Sequence, residues 1–138
     1  MNRVELTGKI VSDPTISESN AGMKYVRFML SCPRNFRGAD GKKTADYIPC
    51  TCWGPQAEYA EKWAKKGEHA LVSGWIATWR RHTARGDYAW GVNVQTVEIM
   101  RSTNEIIPPD PEDEQAMELI FSGGYEIPAW TDLVDAGE

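Results

Sequence analysis

A chain of 138 residues has room for one domain and an appendage, and its formal charge of -5 would by itself argue against a nucleic-acid partner. The charge is divided: all 15 Lys and Arg fall in residues 1–101, which net +5, whereas residues 102–138 carry ten acids and no base. The body suits a polyanion, and the acidic segment suits a basic protein or the body itself.

Arg3 is followed two residues later by Glu5, without the apolar segment of a secretory signal. The longest uncharged, mainly apolar stretch, Ala70 to Trp79, is too short to span a bilayer. Three cysteines, an odd number, do not make a disulfide framework. These features predict a cytoplasmic, reduced protein without membrane contact.

Val4 to Val11 reads as a first strand, interrupted at Thr7-Gly8-Lys9 as strands that bend in small barrels often are. Asp13-Pro14 ends it and Asn20-Ala21-Gly22 is a turn. Lys24 to Cys32 alternates cleanly, with Val26, Phe28 and Leu30 inward and Tyr25, Arg27 and Met29 outward. Pro33 to Lys43 reads as a basic loop turning at Asp40-Gly41. In the third strand Ile48, Cys50 and Cys52 face the core, and Tyr47, Pro49, Thr51 and Trp53 face out. Gly54-Pro55 opens a helix whose Ala57, Ala60 and Ala64 recur at helical spacing, with Lys65-Lys66 in its last turn and Gly67 closing it. Tyr59 and Trp63 on that helix read as core. Ala70 to Arg81 is a fourth strand, in which Leu71, Ile76 and Thr78 alternate with Trp75, Trp79 and Arg81. Arg85-Gly86-Asp87 leads into a fifth, Tyr88 to Met100, where Trp90 shares the core parity of Val92 and Val94.

Five strands with one helix between the third and fourth is the order of an OB-fold, a partly open all-β Greek-key barrel. It occupies residues 1–101. Residues 102–138 form an acidic tail expected to be disordered on its own, with an amphipathic piece from Glu112 to Phe121 and apolar residues Ile127, Trp130, Leu133 and Val134 beyond it.

The outward rings carry the functional signal. Phe36, Tyr47, Trp53, Trp75 and Trp79 fall on one side of the predicted barrel, among Arg34, Arg37, Lys43 and Arg81. Every base has a π-face, so such rings bind single strands with little sequence preference while the cations hold phosphates. A core or subunit-interface role would suit any one ring, but the same strands already have a separate apolar face. Cys50 and Cys52, with Cys32, His69 or His82, could suggest a metal, but paired zinc knuckles are lacking and small core thiols are common. No metal or cofactor is expected, and no nucleophile–base arrangement points to an enzyme.

The linked motifs resemble the bacterial-type single-stranded DNA-binding protein family, including its phage-encoded versions. M-N-R-V-E-L-T-G-K-I-V-S-D-P is similar to that family's opening strand and turn, V-R-F-M-L-S-C to its second strand, and D-Y-I-P-C-T-C-W-G-P-Q-A-E-Y-A-E-K-W-A-K-K-G to its strand–helix centre. The resemblance covers residues 1 to about 100. It implies an OB-fold homotetramer that wraps single-stranded DNA in replication, recombination and repair, without catalysis. It places stacking aromatics at Phe36, Tyr47 and Trp53, and a fourth near Arg81, for which Trp79 would substitute. The family's acidic tip ends in Ile-Pro-Phe; here Ile127, Pro128 and Trp130 lie inside the tail, as the segment expected to dock replication and repair proteins. The rival readings are an OB protein-interaction module of a primosome and an RNA-binding OB domain.

Overall fold

The computed structural model describes residues 1–80, 88–100 and 111–122. Its elements are β1 (Val4–Ile10), β2 (Thr15–Glu18), β3 (Lys24–Arg37), β4 (Lys43–Trp53), α1 (Pro55–Trp63), β5 (His69–Arg80), β6 (Tyr88–Met100) and α2 (Pro111–Ser122). The sheet runs β1-β5-β6-β4-β3-β2, and β1 also pairs with β3, which closes five strands into the expected OB barrel. The short β2 was not foreseen. Its four residues form a hairpin with β3 and alternate too weakly to announce a strand.

β1 serves two partners. Val4 to Lys9 run against β5, while Lys9 and Ile10 pair with Ser31 and Leu30 of β3. The interruption read at Gly8 is where these ladders overlap: a Cβ on Gly8 would collide with the Ser31 carbonyl. A second irregularity reconciles a conflict of parity in β6. Val92 and Val94 lie at even positions and Val97 and Ile99 at odd ones, yet all four line the core. Ser73 pairs with Thr96 and Gly74 with Val94, so Gln95 is the unpaired residue of a bulge that reverses the alternation.

The core joins Ile10, Val26, Phe28, Leu30, Cys50, Cys52, Val72 and these β6 residues beneath Ala57 and Ala60 of α1 and Ala64 at its C-cap. These small side chains let the helix and its C-cap lie close over the barrel end. The helix is tied there by its polar groups. Gln56 Oε1 accepts the Val97 N–H at 3.1 Å, the Tyr59 hydroxyl oxygen accepts the Ile99 N–H at 3.1 Å, and Lys24 meets Glu61 at 2.7 Å. Tyr59 and Trp63 pack against the core from its rim, as read from the sequence. The helix ends at Trp63, earlier than Lys65-Lys66 suggested. The following turn instead exchanges backbone hydrogen bonds with β1, Gly67 N–H to the Ile10 carbonyl and Ile10 N–H to the Glu68 carbonyl.

Other expectations need correction. The basic loop is an arm: β3 continues through Pro33 to Arg37 and returns as β4 from Lys43, with Asp40-Gly41 at the turn. In β5 the core positions are Ala70 and Val72, and Leu71 is exposed. Trp90 faces the same way as Val92 and Val94, but β4 pairs with β6 only from Val92 to Val94. Trp90 therefore lies on the part of the β5–β6 hairpin beyond that pairing and is 45% exposed. Tyr25 and Met29 do have outward parity, yet both are buried, because other side chains cover the outer face of β3. A second apolar cluster joins Val11 and Met29 to Met117 of α2, flanked by Tyr47 and Ile120.

Candidate nucleic-acid interface

The outer face of the β3–β4 pair is set by its antiparallel register. Tyr25 lies opposite Trp53, Arg27 opposite Thr51, Met29 opposite Pro49 and Ser31 opposite Tyr47. Alternation then places Tyr47, Pro49, Thr51 and Trp53 in one row. Tyr47 and Trp53, six residues apart, stand about 20 Å from each other along the strand.

At one end the Tyr25 and Trp53 rings lie 4.7 Å apart between centroids at an interplanar angle of 38°. The Arg27 guanidinium sits 5.3 Å from the centre of the Tyr25 ring. This cation–ring–ring series holds Trp53 in a fixed orientation while leaving it half-exposed, which is what a stacking platform requires. Tyr25 and Arg27 were named as outward but not as site residues. Their pairing with Trp53 is a matter of strand register, which the sequence does not display. At the other end Tyr47 is half-buried, and its hydroxyl donates to Asp113 of α2 at 3.2 Å.

The β3–β4 arm carries Phe36, 65% exposed, together with the predicted cations. Arg37 and Lys43 are directly opposed in register, a like-charge pair that costs stability unless an anion lies between them. Arg37 also donates to the Gly41 carbonyl at 3.0 Å. Arg34 is differently placed. Its guanidinium forms a two-pronged pair with Asp46, the shortest contact being 2.6 Å, and holds that carboxyl below its ordinary range. Arg34 is thus the predicted cation already engaged by a carboxylate.

On β5, Trp75 is 37% exposed. Trp79 is only 8% exposed and, with Pro49, Thr51, Gly91 and Asn93, lines a small crevice. It shares the outer-facing parity of Trp75 on β5 and leaves little of its ring exposed. Arg81, Ile127, Pro128 and Trp130 lie outside the described residues. Cys50 and Cys52 are fully buried in the core. Burial pushes the Cys50 thiol well up and the Cys52 thiol to about 12, so both behave as small apolar side chains.

Between the arm, β1 and α2 lies an open groove of about 680 Å³, bordered by Lys9, Ser31, Lys43, Tyr47, His69 and Asp113. Lys9 was not singled out in the sequence. It lay hidden in the Thr-Gly-Lys interruption, and only the overlap of β1 with β3 brings it beside Tyr47. No helix among the described residues is long and apolar enough to cross a membrane.

Similarity to known proteins agrees with this geometry. The chain is 32% identical over 115 residues to single-stranded DNA-binding protein B of Bacillus subtilis, covering 83% of this chain and 97% of that one. It is 32% identical over 143 residues to single-stranded DNA-binding protein 1 of Lactococcus lactis, covering 92% and 95% respectively. The fold resembles that in a solved complex of the Plasmodium falciparum SSB with single-stranded DNA, with a TM-score of 0.65 at 19% identity over 73% of this chain and 96% of that one. The single-strand binding protein family model matches residues 1–104, and the chain belongs to that family.

Proposed function

We propose that this protein binds single-stranded DNA with little sequence preference, by stacking bases on rings and pairing phosphates with Lys and Arg. The observation that carries the reading is the β4 outer row, with Trp53 held half-exposed by Tyr25 and Arg27 and with Tyr47 at the far end. Phe36 extends the row along the arm, where the opposed Arg37 and Lys43 invite a phosphate. Trp75 and Trp79 continue it across β5. Arg34 contributes once phosphate competes with Asp46, and Arg81 and residues 102–138 complete the scheme from the sequence alone. Such a protein protects and organises DNA in replication, recombination and repair in the cytoplasm, without catalysing a reaction.

Family membership further supports a homotetramer, and exposed Ile76 and Trp90 are apolar surface that subunit contacts would cover. Ile127, Pro128 and Trp130 serve as the docking segment for replication and repair proteins. Titration of tryptophan emission with poly(dT), poly(U) and duplex DNA tests the central reading. Quenching by poly(dT) with weak response to duplex is expected, and log affinity should fall with log salt by about 0.7 per phosphate neutralised. Equal affinity for duplex and single strands would remove the stacking model.

A further inference from the structure

The bulge in β6 does more than restore the parity of the core. Gln95 and Thr96 are consecutive and both exposed, between Val94 and Val97, which are buried. Two side chains in succession therefore leave by the outer face, where regular alternation would send one. Gln95 has no residue of β5 opposite it, and the pairing of β6 with β4 stops one residue earlier, at Cys52 and Val94. Both neighbouring ladders thus release it.

Register sets what surrounds it on that face. Trp53 follows Cys52 as Gln95 follows Val94, so the half-exposed indole braced by Tyr25 is the adjacent outward side chain of β4. On the other flank Trp75 lies opposite Asn93 and is a diagonal neighbour of Gln95, about 7–8 Å away. Asn93 is 4% exposed and Thr51, its partner on β4, is 9% exposed. An exposed amide therefore stands between two accessible indoles, at the margin of a floor nearly closed to water. A hydrogen bond made there beneath a stacked ring is stronger than one in open solvent.

Neither ring stacking nor phosphate pairing calls for a donor set beside an acceptor, which is what an amide supplies. The edge of a base does. Adenine carries its N6 amino group between two ring nitrogens, N1 and N7, so either edge complements an amide, and adenine is the base that Asn and Gln side chains pair with bidentately. As a purine it also offers an indole a wider face than a pyrimidine does.

We infer that Gln95 reads the edge of one adenine, seated against Trp53 with Trp75 on its other flank, and so sets a base preference at one position of an otherwise tolerant row. The inference rests on the nucleic-acid reading of the face. The Gln95 carbonyl oxygen accepts from the N6 amino group, and its amide N–H donates to N1 or N7. One bidentate pair of this kind discriminates by about fivefold or more.

The test gives the full-length protein short oligo(dT) strands that carry a single dA at successive positions, with affinity read by competition against a labelled oligo(dT). At the favoured position dA should tighten binding about fivefold over the all-dT strand. An adenine analogue without the N6 amino group, which still stacks, should lose that gain. Gln95→Leu removes the amide and Gln95→Glu removes only its N–H donor. Both should bring the ratio of dA to dT affinity close to unity, with melting curves checking that each variant is folded. The inference is overturned if dA improves binding at no position, or if the gain survives Gln95→Leu, which would assign it to stacking alone. A gain for dC or dG in place of dA overturns adenine as the base. Failure of the all-dT strand to bind is a separate result: it removes the nucleic-acid reading itself, and the subsite with it.

Discussion

Trp53 and Trp63 stand ten residues apart, on β4 and α1, and the structure gives them different neighbours. Trp53 rests on Tyr25 and is half-exposed, whereas Trp63 lies on the rim of the core. Trp53→Ala should weaken poly(dT) binding by roughly 1–3 kcal/mol, the worth of one stacked base. Trp63→Ala should instead lower thermal stability by about 2 kcal/mol and leave affinity per folded molecule unchanged. Melting curves beside fluorescence titrations distinguish the two. The thiols give a second residue-level expectation. Cys52 ionises at about 12 in the folded chain against an ordinary value of 9.0, because burial opposes the thiolate. The folded state therefore keeps a proton that the unfolded state gives up. Stability from this site is intact below pH 9 and falls by about 1.4 kcal/mol per pH unit above it, until the folded thiol itself titrates. A maleimide near pH 8 should label Cys32, which is partly exposed, and spare Cys50 and Cys52 until the protein unfolds.

Among the elements, β6 shows how far the sequence could be read. Its valines announced a strand, but a single period could not be right for Val92, Val94, Val97 and Ile99 together. The bulge at Gln95 resolves this, and it depends on which residues of β5 lie opposite. The same limit explains the other differences. Trp90 was placed on the correct face, but where β4 leaves β6 is set by partner length and not by local pattern. Phe36, Tyr47 and Trp53 could be picked out as outward rings from alternation and family resemblance. Tyr25 and Arg27 were legible as outward but not as neighbours of Trp53, and Lys9 was not legible at all, since each acquires its place beside a ring only through register or strand overlap. Gly74 tests this account. It faces the Asn93 carbonyl so closely that a Cβ must push backbone aside. Gly74→Ala should cost about 1–3 kcal/mol in chemical denaturation, as overpacking does, and should disturb the β5–β6 ladder first in amide exchange. An unchanged midpoint would mean that the bulge relaxes freely.

For the whole molecule, the division of charge and the exposed apolar residues point in one direction. Ile76, Trp90 and Leu71 are large side chains that the single barrel leaves in water. Sedimentation at micromolar concentration should give the mass of four chains, and a monomer that still binds poly(dT) tightly would refute the tetramer. Deleting residues 102–138 removes ten acids and no base, so the remaining body should bind DNA more tightly in dilute buffer while melting as cooperatively as before.

Barrel closure has a consequence for the order in which the chain can fold. The β3–β4 and β5–β6 hairpins join neighbours in sequence, but β1 pairs with β5, Val4 lying against Gly74 some seventy residues later. Contacts of such separation must overcome loop-closure entropy before they return any stability, which places barrels of this kind among slow folders, in the millisecond-to-second range. On the ribosome β1 emerges before the other strands of the barrel and waits for β5, the strand against which most of its ladder forms. Until the chain is made past residue 80, Val4 and Leu6 have no sheet to join, and the barrel's first strand in chain order becomes one of the last to be secured.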